Sequence, residues 1–380
     1  MLLLALTVAG AVSASAWAGL LLYPARPWDL RPIGEDDPAP DDPVRWPEVA
    51  VLVPARDEGG TVPQTLPALL AQDYPGSWSA VLVDDRSVDG TAEVARALGD
   101  GRLRVVDGEP LSPGWVGKVW ALEQAARVAP ATARYLLLTD ADIVHAPWSL
   151  RRLVAESEAR GLALNSRLAR LDSRSLAARL LVPPFVFFFS CLYPMRRAND
   201  PADPLAAAAG GCELIRRDAL DAAGGFAAMR GAVIDDLTLA RRVKALGFPI
   251  RLALSRADVT SVRRHATVAS VWRMVSRTAF EQLRRSYLLV AGTLVGLAVL
   301  FAVPFALLAL GLAEGGRSGA VAASLGGLGW ALMTTAFLPT VRVYALRWPW
   351  ALTLPLAGLL YAGMTLDSAL RPAPALSAGP

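Results

Sequence analysis

Four apolar stretches limit the folds open to this chain. Residues 2–22, 287–313, 319–341 and 349–366 hold no charged side chain. Inside a bilayer no water can satisfy the backbone, so runs of about 20 apolar residues resolve as helices. Of the 380 residues, 54% are hydrophobic and the mean hydropathy is +0.38. Soluble domains run nearer 45–50% apolar, and the excess here sits at the two ends of the chain. For the first stretch a signal peptide is the competing reading. Ala16-Trp17-Ala18 resembles a cleavage site, but no positive charge precedes the apolar run. A retained anchor is the expectation.

Charge in the loops orients these segments. Arg26 and Arg31 follow the first, Arg284 and Arg285 precede the second, and Arg342 and Arg347 separate the last two. Between the second and third lie only Glu314 and Arg317. By the positive-inside rule, the region from about 30 to 285 and the 342–348 loop are expected on the cytoplasmic side of a multi-pass cell (inner or plasma) membrane protein. Both chain ends then face outward.

A net charge of +4 does not indicate nucleic acid here, because the basic residues gather beside apolar segments, where they suit anionic lipid headgroups. Cys191 and Cys212 match no zinc motif and read as buried small hydrophobes. His145 and His265 are too few and too isolated for a metal site.

The expected organisation is an anchor at 1–23, a Pro/Asp-rich linker at 24–48 and a central domain at 49–262. An amphipathic interfacial segment at 263–286, three membrane helices at 287–370 and a tail at 371–380 follow. Within the central domain, apolar runs at Val49–Val53, Ala80–Val83, Leu103–Val106 and 134–139 read as buried strands. Helices are expected from Thr61 to about Gln72, near 119–129 and at 148–159. The alternation is βαβα, which implies a largely parallel sheet. Right-handed crossovers bring the strand ends to one crevice, where α/β sheets keep their ligands.

Acidic residues gather at those ends. Asp57 and Glu58 follow the first strand, Asp84 and Asp85 the second, and Asp140-Ala141-Asp142 the strand at 134–139. Two carboxylates so close repel unless a cation lies between them, and a hard Mg²⁺ or Mn²⁺ with a ligand diphosphate is a natural occupant. The plainer reading of Asp140 and Asp142 alone is a solvated turn. Carboxylates after three strands favour a site.

Further on, Pro183-Pro184-Phe-Val-Phe-Phe-Phe189 is too short and too proline-broken to span a bilayer. It is either an interfacial element or an aromatic core segment. Asp235-Asp236 opens a helix running to Leu246, where an Asp is also an ordinary cap. Between Arg263 and Arg285 basic and apolar residues interleave as on a surface amphipathic helix.

Taken in order, these segments resemble the inverting family 2 glycosyltransferases, which share a nucleotide-sugar-binding fold called GT-A. The matching points are Pro54-Ala-Arg-Asp57-Glu58, Asp84-Asp85-Arg-Ser-Val-Asp89-Gly-Thr91, Asp140-Ala-Asp142, Gly210-Gly211-Cys212, Asp235-Asp236-Leu-Thr-Leu239 and Gln282-Leu-Arg-Arg285. Gly114-Trp-Val-Gly117-Lys118 and Ile234-Asp-Asp look like the hopanoid-associated branch. The resemblance covers 49–286. It implies an α/β GT-A (Rossmann-like) cytoplasmic domain with about four transmembrane helices, acting on a nucleotide-sugar donor, a UDP-sugar by family habit, and a lipid acceptor. Asp57, Glu58, Asp84, Asp85 and Asp140 are implied for the nucleotide, and Asp142 with Asp140 for Mg²⁺ or Mn²⁺. Lys118, Gln282 and Arg285 are implied for the donor diphosphate. Asp236 is implied as catalytic base, with Asp235, Gly211 and Cys212 on the acceptor side. The plain alternative for Lys118 is a solvated helix start.

Two departures count. Asp235 stands where the family has Glu, which keeps the carboxylate. Ser286 stands where the family's last motif has Trp, which lowers the case for a processive polysaccharide synthase. A sugar nucleotidyltransferase and a non-catalytic membrane scaffold with a nucleotide-binding domain remain as alternatives.

Overall fold

A computed structural model describes residues 2–30 and 40–371. Part of the expected linker, including Asp36-Asp37-Pro38, and the tail at 372–380 lie outside the described residues, as does Arg31. The described residues form two compact units. The described part of one comprises 2–30, 173–194 and 265–371, and that of the other 40–172 and 195–264.

The second unit is built on a seven-stranded sheet. Its strands are β1 (Val49–Ala55), β2 (Trp78–Asp84), β3 (Leu103–Asp107), β4 (Tyr135–Thr139), β6 (Leu164–Leu168), β7 (Cys212–Arg216) and β8 (Ile250–Leu254). Between β4 and β6, β5 (Ile143–His145) leaves the sheet to pair with β9 (Val259–Ser261) in a two-stranded ribbon. The sheet order is β3-β2-β1-β4-β7-β6-β8. From β3 to β4 all pairs are parallel, as the alternation of apolar runs and helices predicts. Antiparallel β7 then makes the sheet mixed, between β4 and β6.

β1, β2 and β4 carry continuous apolar runs because both faces of the sheet are covered there. Alternate residues supply the two layers. Ala50, Leu52, Val81, Val83, Leu136 and Leu138 pack on one face, and Val49, Val51, Val53, Leu82, Tyr135 and Leu137 on the other. This burial on both sides fixes the parallel strands in register, so their C-terminal ends are held as one edge.

The other unit is helical. Four helices are long and apolar enough to cross a membrane, at Leu3–Leu22, Tyr287–Glu314, Gly316–Val343 and Trp348–Leu370. These coincide with the four stretches read from sequence. Close helix approach rests on small residues. A Cβ added to Gly311 would lie 2.4 Å from Ala323 N, and one on Gly326 2.5 Å from Pro304 O. The Pro183-Pro184 segment is not broken. Leu176–Leu192 runs as one helix through both prolines. Phe187 packs against Trp17 and Phe337, Phe188 against Phe301 and Tyr361, and the Tyr361 hydroxyl donates to Leu181 O at 2.9 Å. Tertiary packing thus outweighs the helix-breaking tendency of proline.

Candidate active site at the carboxyl edge of the sheet

The loops after β1 and β2 hold each other. Asp57 adopts a left-handed backbone, φ +53°. Its amide donates to Ser87 Oγ and its Oδ1 accepts from Val88 N, both at 2.9 Å. Glu58 N donates to Thr91 Oγ1 and Gly59 N to Asp89 Oδ2. Asp57 therefore fastens one loop to the other. Asp84 is buried; its Oδ2 accepts from Ser87 N, and Oδ1 has no partner among the described residues. Asp85 is held by Arg56 Nη1 at 3.4 Å. Burial pushes the Asp85 carboxyl up, and Arg56 partly opposes that. A Cβ on Gly117 would come within 3.0 Å of Asp85 Oδ2, so glycine opens that approach to the helix Gly117–Val128.

Lys118, in the first turn of that helix, is a hub. Its Nζ lies 2.8 Å from Asp140 Oδ1, 3.4 Å from Asp235 Oδ2 and 3.4 Å from Gly210 O. It is not a solvated helix start. Residues from three separate segments, 140, 210 and 235, converge on one ammonium. Burial raises the Asp140 carboxyl, with Lys118 pulling the other way.

Asp236 sits at the start of the helix Asp235–Ala245. Its Oδ2 accepts from Gly210 N at 3.0 Å and its Oδ1 from Leu237 N at 2.7 Å. Burial, then the neighbouring Asp235 charge, pushes its carboxyl up to about 6. A carboxylate of that strength takes a proton efficiently near neutral pH and is still largely ionised there. Beside it lies Glu213 of β7, a residue that no motif singled out. Glu213 is buried, and its Oε1 has no hydrogen-bond partner among the described residues. Burial and the charges of Asp236 and Asp235 hold its carboxyl well above the usual range.

Asp142 closes the other end. Its Oδ2 accepts from Ser261 Oγ at 3.0 Å and from Arg263 Nε at 2.9 Å. The same guanidinium pairs with Glu58 Oε1. The β5–β9 ribbon makes this meeting, joining residues 121 apart in sequence. Spacing in the chain gives no sign of it, and Arg263 reads there as part of a basic surface segment.

Gly211 O accepts from Thr139 Oγ1 at 3.0 Å. Cys212 is wholly buried in the core and its thiol is pushed up by burial. Gln282 and Arg285 belong to the helical unit, where Gln282 pairs with the Tyr193 hydroxyl and Arg285 with Glu281. His145 is buried between Thr139 and Ser149, and burial lowers it to about 4, so it is a neutral structural group.

Among the described residues no three His, Cys, Asp or Glu side chains form a ready cage for a metal ion. Asp140 and Asp142 nonetheless fit a hard divalent cation. Each is an oxygen donor already paired with a positive group, and Mg²⁺ commonly takes only one or two carboxylates, completing its shell with water and phosphate.

The chain belongs to Glycosyl transferase family 21, whose sequence profile matches residues 8–373. The motif resemblance pointed to family 2; the membership shown is in family 21. An N-acetylglucosaminyltransferase of Mesorhizobium japonicum is 29% identical over 200 residues, 51% of this chain and 44% of that protein. The succinoglycan biosynthesis protein ExoO of Rhizobium meliloti is 28% identical over 134 residues, 34% of this chain and 36% of that protein. The chain thus spans less than half the length of either relative. Among solved structures, the mannosyltransferase PcManGT of Pyrobaculum calidifontis, in complex with GDP-Man and Mn²⁺, is similar over 96% of this chain and 99% of that one. The TM-score is 0.55 at 20% identity, which establishes a shared GT-A-like fold.

Proposed function

We propose that this protein transfers a sugar, with inversion, from a nucleotide-sugar donor to a lipid acceptor at the membrane. The observation that carries the reading is Asp236: a carboxylate pushed up to about 6, fixed by two backbone amides, beside the Lys118–Asp140 pair at the sheet's carboxyl edge. It has the strength and the placement of a general base.

In this reading Asp236 takes the proton from an acceptor hydroxyl as that oxygen attacks the anomeric carbon. The two amides hold the carboxylate still. Asp57, Glu58, Asp84 and Asp85 frame the nucleoside end, Asp235 and Gly211 lie toward the acceptor, and Lys118 is a donor to phosphate or a sugar hydroxyl; Cys212, wholly buried in the core, is structural rather than on the acceptor side. Gln282 and Arg285 order the segment of the helical unit that carries them. Mg²⁺ or Mn²⁺ held by Asp142, with Asp140 in support, would neutralise charge on the leaving diphosphate. The donor is a UDP-sugar by resemblance. PcManGT, whose fold is shared, was solved with a nucleotide-sugar and Mn²⁺.

The four apolar helices support a lipid acceptor, and the loop arginines support a catalytic unit facing the cytoplasm of a cell membrane. A hopanoid-like polyprenoid is the finer reading, from the wording of 114–118 and 234–236. A polysaccharide acceptor is the second reading, favoured by the relative named for succinoglycan biosynthesis. Ser286 in place of the motif's Trp weighs against a processive version.

The test supplies labelled UDP-sugars, Mn²⁺ or Mg²⁺ and a total lipid extract to membranes holding wild type or Asp236→Asn. A labelled lipid made only by wild type supports the proposal. Label in polysaccharide alone would move it to the second reading, and equal rates from the two proteins would remove Asp236 as base.

A further inference from the structure

We propose that Arg263 is a built-in counter-charge for the cation site, so that the cation and the Arg263 guanidinium compete for Asp142. This rests on the metal reading given above and adds a residue that no motif assigns.

The geometry places one guanidinium across two carboxylates from distant segments. Arg263 Nε donates to Asp142 Oδ2 at 2.9 Å, while Nη2 bonds to Glu58 Oε1. Asp142 Oδ2 is thereby the shared end of two donors, since Ser261 Oγ also reaches it at 3.0 Å. A divalent cation taking that oxygen needs a lone pair that now accepts from Arg263. It would also stand next to a fixed positive charge that repels it. Both effects weaken cation binding while Arg263 stays in place.

Arg263 is able to leave. Its side chain is 55% exposed, whereas the Asp142 side chain is 12% exposed and the Glu58 side chain 15% exposed. The carboxylates are fixed and the cation on them is the movable part. Ser261 on β9 keeps Asp142 oriented when the guanidinium swings away, and Thr61 Oγ1 does the same for Glu58 Oε2 at 2.8 Å. Asp142 thus exchanges one positive partner for another without being left bare, which avoids the cost of an uncompensated carboxylate in a confined site. The guanidinium so released is planar, always charged and suited to two-point bonding of phosphate oxygens. The arrangement makes a cation arriving together with a diphosphate a better competitor than a cation alone.

The test measures Mn²⁺ binding by electron paramagnetic resonance of the free ion, on the full chain in detergent without nucleotide. Wild type is compared with Arg263→Ala, with Arg263→Gln and with Asp142→Asn. Arg263→Gln keeps length and a donor but removes the charge, so the comparison survives if the alanine variant folds poorly. Both Arg263 variants are expected to bind Mn²⁺ about tenfold more tightly, within the usual range of coupling between sites, and Asp142→Asn to lose that binding. Mn²⁺ binding that depends on Asp142 but is unchanged or weaker in the Arg263 variants would overturn the competition while leaving the metal site intact. No Asp142-dependent binding in any of these proteins would overturn both.

Discussion

Replacing Asp235 by Asn removes the largest charge that raises Asp236, second only to burial. It also releases Lys118, which lies 3.4 Å from Asp235, to act more fully on Asp236. Both changes favour the ionised form of Asp236, so its proton affinity should fall. A like charge at contact range moves a carboxylate by about one pKa unit, about 1.4 kcal/mol. Asp236 in wild type is pushed up to about 6, so at pH 5 roughly a tenth of it is ionised. After a one-unit fall roughly half is ionised at pH 5. Relative to its own plateau, the variant should keep about five times more activity at pH 5 than wild type does. Sign and direction follow from the base role: activity is lost as pH falls through the pKa, and the loss now begins at lower pH. The assay is kcat for sugar transfer at saturating donor from pH 4.5 to 8, with Asp236→Asn as the blank. An acidic limb that stays near 6, or moves to higher pH, would refute the reasoning. Asp236 would then not be the group that the limb reports, or Asp235 would not be what raises it.

Three further outcomes are expected. Asp142→Ala should abolish the metal dependence of nucleotide binding, read by calorimetry of UDP with and without Mn²⁺; an undiminished dependence would place the cation elsewhere. Gly210→Ala sets a methyl 2.9 Å from Lys118 Nζ and 3.6 Å from Asp236 Oδ2. Because the lysine end can move aside, the melting temperature should hardly change while kcat falls about tenfold, the cost of misplacing a catalytic group by a fraction of an ångström. Glu156→Ala should cost about 3–5 kcal/mol, since it strands the wholly buried Arg167 guanidinium that Glu156 pairs with. Arg167 also donates to Asn165 Oδ1 at 2.7 Å and lies 3.4 Å from Asp258 Oδ2, and a thermal melt within a degree or two of wild type would show that these two suffice for it.

The parts of the fold that could be read from the chain are those with local causes. β1, β2 and β4 are apolar runs because they are buried on both faces, and the acidic turns that end them are short-range signals. The membrane-length helices were equally plain, since length and lack of charge decide them. Where the cause is tertiary, reading failed. β7 enters antiparallel between β4 and β6 although its sequence carries no mark of direction. Leu176–Leu192 holds its helix through two prolines because aromatic side chains from distant helices pack around it.

The same division runs through the site, and electrostatics explains it. Asp140 and Asp235 share Lys118, Glu58 and Asp142 share Arg263, Asp236 adjoins Asp235, and each of these acids lies in a motif with its own local signature. So many carboxylates cannot be held together bare, so the fold must bring positive groups to them from somewhere. Lys118 lies in the first turn of its helix, close behind the third strand end, and could be suspected. Arg263 comes from the far end of the unit, through a two-stranded ribbon that only the folded chain creates. Glu213 meets the same demand differently, since burial and the neighbouring charges push its carboxyl up. A crowded acidic motif in a sequence therefore implies counter-charges or raised carboxyls that the motif does not contain. In this protein Lys118 opposes the rise of the Asp236 carboxyl, and in the proposal above Arg263 governs how readily Asp142 accepts a cation.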